Sequence, residues 1–147
     1  LDCLLNTKTA ALLAALAGAA GLGLNTAMAH HVGALYRVNH GEANAILLPH
    51  TMRYNLDASA DRQALIAKAM GIDTGGMSVE EAGLAAADAV DRLCRQLNIP
   101  DTLREVGVPE EGLELIAAAT LHDRALATNP KPITDAVPIM TVLRSAW

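Results

Sequence analysis

Residues 21–55 read GLGLNTAMAHHVGALYRVNHGEANAILLPHTMRYN and hold four of the chain's five histidines, His30, His31, His40 and His50. Here a helical, apolar pattern is interrupted by groups that bind metals or carry protons. Gly21 and Gly23, with Gly18 before them, allow a break and a close backbone approach. The pattern predicts a helix over Asn25–Tyr36, a short loop over residues 37–39, and a further helix from His40 or Gly41 towards Tyr54. Pro49 lies inside that last helix and should kink or divide it, because it lacks the N–H that its turn needs. Any chemistry belongs in this stretch; the remainder reads as helical scaffold.

Towards the N-terminus, Thr7 or Thr9 is a candidate cap for a first helix running to about Ala20. An uncharged run from Thr9 to Ala29 ends in Ala27-Met28-Ala29, which mimics a signal-peptide cleavage site. Asp2 spoils the positively charged start that such a peptide has. The Ala- and Gly-rich run, interrupted by Asn25 and Thr26, also makes a poor membrane span. A buried helix is the expectation. Leu1, where an initiating Met would stand, fits a fragment.

Downstream, residues 55–59 form a connector with capping side chains. Asp61–Met70 follows as a helix, with Leu65, Ile66, Ala69 and Met70 on one face and Gly71 as its stop. Ser78-Val79-Glu80-Glu81 is a capping box. Val79, Ala82, Ala86, Val90, Leu93 and Leu97 then recur at three- and four-residue spacing as a buried stripe. Asp88/Arg92 and Asp91/Arg95 pair on the outer face. Asn98-Ile99-Pro100 ends that helix, and residues 101–105 make one short turn. Pro109 suits the first position of a helix that turns Leu113, Ile116, Ala117 and Leu121 to one side. Asn129-Pro130-Lys131-Pro132 is a rigid loop. Thr134 caps a last helix from Asp135 to about Ser145, with Pro138 tolerated in its first turn.

The composition agrees. The chain has 147 residues, 52% hydrophobic but only 2% aromatic, with no Phe. That length suits one domain with a sizeable core. A core of Ala, Leu, Ile, Val and Met with few rings favours closely packed helices over a sheet. No period-2 stretch of useful length and no internal repeat occurs. The fold expected is all-α. A net charge of −5 and no basic patch interleaved with aromatics argue against nucleic acid as a partner. The two cysteines, Cys3 and Cys94, make no disulfide framework and suit reduced thiols in the cytoplasm.

Gly21-Leu22-Gly23 is a weak dinucleotide motif, since Thr26 stands at the third glycine position and no strand precedes it. Helix-packing glycines explain it better. No GxxxxGK loop, GxSxG elbow or CxxC is present. Among the histidines, His30 and His40 lie at the two ends of a helix-to-loop segment, and a turn there brings both towards one cavity. No Asp or Glu stands at i,i+4 ligand spacing from either, so spacing alone favours capping or surface histidines. His50 and His122 read as structural, with His122 placed to face a helix C-terminus.

A resemblance goes further. Ala27-Met28-Ala29-His30, Gly33-Ala34-Leu35-Tyr36, His40-Gly41-Glu42-Ala43-Asn44-Ala45-Ile46-Leu47-Leu48-Pro49-His50 and Met52-Arg53-Tyr54-Asn55 resemble the C-terminal signature of the iron-containing (group III) alcohol dehydrogenase family. Gly76-Met77-Ser78-Val79-Glu80-Glu81-Ala82, Leu103-Arg104-Glu105-Val106-Gly107-Val108, Asn129-Pro130-Lys131 and the closing Ala146-Trp147 match in order. The resemblance implies a dehydroquinate synthase-like, all-helical domain over residues 1–147, a multi-helix bundle with no Rossmann domain. It implies a chain that starts after the family's first two metal ligands.

In that family an N-terminal α/β domain binds NAD(P), and the metal, Fe²⁺ or Zn²⁺, polarises the alcohol or carbonyl oxygen during hydride exchange. The family pattern His-x-Met-Ala-His, then Pro-His-Gly, makes its first and last histidines ligands. Here the last is His40, but Thr26 occupies the first position, and a hydroxyl is a poor ligand beside imidazole. His30 matches the middle histidine, near nicotinamide and substrate, a candidate proton relay. Asn39 replaces a usual Pro. The resemblance therefore implies part of an alcohol/aldehyde oxidoreductase that binds neither metal nor NAD(P) tightly by itself and is inactive alone. Its partners would be the nucleotide-binding half or further copies of itself. The alternative is a non-catalytic helical oligomerisation module that has lost the metal site.

Overall fold

The structure, a computed structural model, describes residues 2–18 and 21–147. Among these residues every regular element is helical, as the composition predicts. In order they are α1 (Asp2–Gly18), α2 (Leu24–Tyr36), α3 (His40–Tyr54), α4 (Leu56–Ala69), α5 (Val79–Gln96), α6 (Gly112–Thr120), a 3-10 turn over Arg124–Thr128, and α7 (Ala136–Ser145).

The α2 helix lies at the centre. Leu24, Ala27, Met28, Ala29 and Val32 are all buried, and it packs on α3, α6 and the 3-10 turn. Leu47 of α3, Leu113 and Ile116 of α6, and Ile139 and Leu143 of α7 complete the main core. Each such side chain contributes about 2 kcal/mol when fully removed from water. A smaller cluster of Met52, Ala67, Ala86 and Ala87 joins α3 to the α4–α5 pair. That pair is close: a Cβ at Gly83 would meet Leu56 Cδ1 at 2.5 Å.

Local signals place several boundaries well. Ser78 and Glu81 form the capping box, with Glu81 N–H donating to Ser78 Oγ at 3.1 Å and Ser78 N–H to Glu81 Oε2 at 2.7 Å. Gly71 takes a positive φ of 79° just past α4, the conformation that ends helices at glycine. Asp91 and Arg95 pair as expected, whereas Asp88 bonds Arg53 of α3 at 2.7 Å.

Other expectations are corrected. The first helix starts at Asp2, so Thr7 and Thr9 lie inside it rather than capping it, and Thr7 Oγ1 donates back to Cys3 O. It buries no residue: Leu5, Leu12, Leu13 and Leu16 share one side of the helix, and these and Leu4 are all exposed. Residue 20, its expected end, lies outside the described residues. Pro49 does not divide α3, which runs unbroken to Tyr54. Its missing N–H would have served Ala45 O, and the Cys94 thiol reaches that carbonyl instead, at 3.7 Å.

The α4 helix begins earlier than expected, at Leu56, and carries its irregularity at Ser59 (φ −147°). It turns Ala60, Gln63 and Ala67 inward and leaves Leu65, Ile66 and Met70 exposed. The close approach to α5 favours alanines on the contact face, and Gln63 is admitted because its Nε2 donates to Met52 O at 2.8 Å and to Ser59 Oγ at 3.0 Å, so the leucine face is left outside. For the same reason α5 buries Ala82 and Ala86 while Val79, Leu93 and Leu97 stay exposed. Asp135, not Thr134, caps α7 by accepting from Val137 N–H at 2.9 Å. Pro109 makes a turn three residues ahead of α6, its carbonyl accepting from Gly112 N–H. Gly21 and Gly23 lie in the loop before α2 rather than in a helix, and a Cβ at Gly21 (φ 125°) would strike Thr128.

Candidate functional site

The α2 helix ends at Arg37, whose left-handed backbone (φ 57°) turns the chain back on itself. Val38 is buried and anchors the loop. Asn39 then caps α3, its Oδ1 accepting from Gly41 N–H at 2.8 Å. This turn fixes His40 as the first residue of α3 and lays it against His30. The two rings stack with centroids 5.7 Å apart and planes 18° from parallel. The expected convergence of His30 and His40 is therefore found.

A third group, which the sequence did not point to, completes the cluster. Asp123 follows α6 and caps the 3-10 turn, its Oδ1 accepting from Ala125 N–H at 2.8 Å. Its Oδ2 lies 2.9 Å from His30 Nδ1. His31 Nε2 lies 3.3 Å from the same oxygen but makes no hydrogen bond there, although the nitrogen is buried. Burial pushes the Asp123 carboxyl up. The His30 hydrogen bond, the Ala125 N–H and the charges of His30 and His31 outweigh it and hold the group below its ordinary value. Asp123 is thus a carboxylate and can only accept. The shared proton belongs to His30 Nδ1, and Nε2 is left as the ring's acceptor.

His40 is held differently. Asn44 Nδ2 lies 3.0 Å from His40 Nε2 and also donates to His40 O at 2.8 Å. Asn44 Oδ1 accepts from Asn25 Nδ2 at 2.8 Å, and Asn25 Nδ2 donates to Asn44 O as well. Backbone carbonyls only accept, so both amide orientations are fixed. Asn44 must be the donor to His40, whose Nε2 lone pair is already engaged.

A transition-metal site asks more than these donors supply. Thr26 stands one turn before His30 on α2 and offers only a hydroxyl. His40 offers one imidazole whose lone pair holds an amide proton. No group of three or more His, Cys, Asp or Glu that could hold a metal ion occurs among the described residues. Such sites need three or four protein ligands, so the residues present do not by themselves fit one. His50 lies apart, in a groove of about 300 Å³ with Arg53, Tyr54 and Thr141. His122 is exposed near the end of α6.

Neither Asp123 nor Asn44 is marked by the sequence, for different reasons. Asp123 is 93 residues from His30, beyond any helical spacing. Asn44 sits at i+4 from His40, but a carboxamide is a poor ligand for Fe²⁺ or Zn²⁺, so that spacing carries no metal signature.

The model of the Fe-containing alcohol dehydrogenase family, C-terminal, matches residues 4–147. Lactaldehyde reductase of Escherichia coli is 46% identical over 127 residues, covering 86% of this chain and 33% of the relative. NAD-dependent methanol dehydrogenase of Bacillus methanolicus is 36% identical over 114 residues, 78% of this chain and 30% of the relative. A crystal structure of 1,3-propanediol oxidoreductase superposes with a TM-score of 0.83 at 40% identity, over 86% of this chain and 33% of that one. The chain spans about a third of the length of the curated relatives it matches.

Proposed function

This chain belongs to the Fe-containing alcohol dehydrogenase family, in its C-terminal part, and we propose that it forms the helical side of an NAD(P)- and metal-dependent alcohol/aldehyde oxidoreductase site. His30 is the proton-handling residue and His40 the one candidate metal ligand. The relatives' names point to alcohols and aldehydes as the substrate class. Fe²⁺ is favoured over Zn²⁺, because the family's description names iron. The observation that carries the reading is the convergence of His30, His40 and Asp123 at one edge of the bundle. The donor set around His40 is incomplete, with Thr26 in place of an imidazole. The 147 residues alone are therefore not catalytic and bind neither metal nor NAD(P) tightly. Activity needs a nucleotide-binding half, and the setting is the cytoplasm. No described helix is long and apolar enough to cross a membrane.

The test is a chimera. Residues 21–147 replace the matching C-terminal part of the E. coli lactaldehyde reductase, and aldehyde reduction is followed with NAD(P)H and Fe²⁺. Low activity that rises when Thr26→His is added supports the reading. A folded, nucleotide-binding chimera that stays inert with Thr26→His refutes it.

A non-catalytic helical interaction module is the second reading, favoured by the exposed leucines of α1, since large apolar patches rarely stay free. Light scattering on the 147-residue chain separates the two. A clean monomer counts against the module.

A further inference from the structure

We propose that Asp123 is the positioning residue of His30: its carboxylate fixes the imidazole in the Nδ1–H form and leaves Nε2 as the acceptor for a substrate hydroxyl proton. The inference deepens the reading of His30 given above and rests on it.

The geometry is over-determined. Asp123 Oδ1 is tied to Ala125 N–H at 2.8 Å, so the carboxylate cannot swing away. Ala125 and Leu126 are buried behind it. Thr120, fully buried at the end of α6, bonds Ile116 O and fixes the helix end from which Asp123 projects. Oδ2 therefore meets His30 Nδ1 at a set angle and distance, 2.9 Å. The stacked His40 ring prevents His30 from tilting out of that plane. Two contacts, one on the edge and one on the face, leave the ring a single orientation.

His31 supports the arrangement from behind. Its Nε2 is buried 3.3 Å from the same oxygen. Asp123 is thus shielded by two imidazoles, and its side chain is only 13% exposed against 43% for His30. The exposed part of the pair is the imidazole. When an alcohol hydroxyl reaches Nε2, the proton passes to that nitrogen and the O–H electron pair stays on oxygen. The imidazolium so formed keeps its Nδ1–H on the carboxylate, whose charge opposes the one created. In the reverse direction Nε2–H returns the proton.

Imidazole nitrogen resonances of the ¹⁵N-histidine-labelled 147-residue chain, recorded at alkaline pH where the rings are neutral, test this without any turnover. His30 is assigned by its loss in His30→Gln. The expected result is a predominantly Nδ1–H His30 in the wild type, switching to the Nε2–H form in Asp123→Ala. A purely structural role for Asp123, as cap of the 3-10 turn, would lower the thermal midpoint and leave the tautomer unmoved; that result overturns the proposal. So does a wild-type His30 in the Nε2–H form, which needs no variant to observe. If the tautomer switches as expected and the chimera above is inert, the oxidoreductase reading falls and the positioning geometry stands.

Discussion

Asn129→Ala should be the most damaging single polar substitution outside the histidine cluster. The Asn129 side chain makes four hydrogen bonds. Its Oδ1 accepts from Leu24 N–H at 3.1 Å and Asn55 Nδ2 at 3.0 Å. Its Nδ2 donates to Asn55 Oδ1 and to Lys131 O, both at 2.8 Å. One amide thus joins the start of α2, the end of α3 and the loop that follows the 3-10 turn. A typical hydrogen bond contributes about 1 kcal/mol net, and a buried group left without its partner costs about 1–3 kcal/mol. Asn55 is only 7% exposed and Leu24 is fully buried, so the Asn55 amide and the Leu24 N–H are both left without their partner. The expected loss is about 3 kcal/mol. At a urea slope of about 2 kcal/mol/M, the unfolding midpoint falls by about 1.5 M.

The assay is urea unfolding followed by helical circular dichroism and by the fluorescence of Trp147, the only tryptophan. The double variant Asn55→Ala, Asn129→Ala should lose less than the sum of the single losses by about 1–2 kcal/mol, because two bonds are shared. A single loss under about 1 kcal/mol, or strict additivity, would refute the view that the paired amides clamp these segments together.

Three further outcomes follow from local geometry. Ser78→Ala removes the oxygen that accepts from Glu81 N–H and should cost about 1 kcal/mol in the same unfolding assay; no measurable change would show the cap to be idle. Burial, then Asp91 and Asp101, push the Cys94 thiol up, while Cys3 is exposed. An aromatic disulfide reagent should therefore titrate Cys3 first and Cys94 slowly, with both reacting promptly in urea, and equal native rates would contradict the packing of Cys94 onto Ala45. Burial, then the charge of Arg53, lower His50 below its ordinary 6.5, against an opposing pull from Asp91. The folded state consequently binds fewer protons than the unfolded one. This stability is complete above about pH 6.5 and lost as pH falls towards the depressed value. His50→Gln should flatten the stability profile over that range, and an unchanged profile would place the acid sensitivity elsewhere.

How far the sequence carries depends on the reach of each interaction. The capping box at Ser78, the glycine stop at Gly71 and the apolar spacing of α6 act within one or two turns, so they are readable from neighbouring residues. Near-absence of aromatics and β-period runs settled that the chain is helical. The run from His40 to Asn55 carried the family. Which face of a helix points inward was decided by its partner. The close α4–α5 approach at Gly83 selected Ala60 and Ala67 over Leu65 and Ile66, and among the described residues no element packs on α1 closely enough to bury its leucines. The carboxylate that orients His30 is likewise visible only when α6 is seated on α2. Hydrogen bonds reach about 3 Å in space and are blind to separation along the chain. The two histidines were legible because one tight turn joins them; Asp123 was not, because only the packed core brings it there.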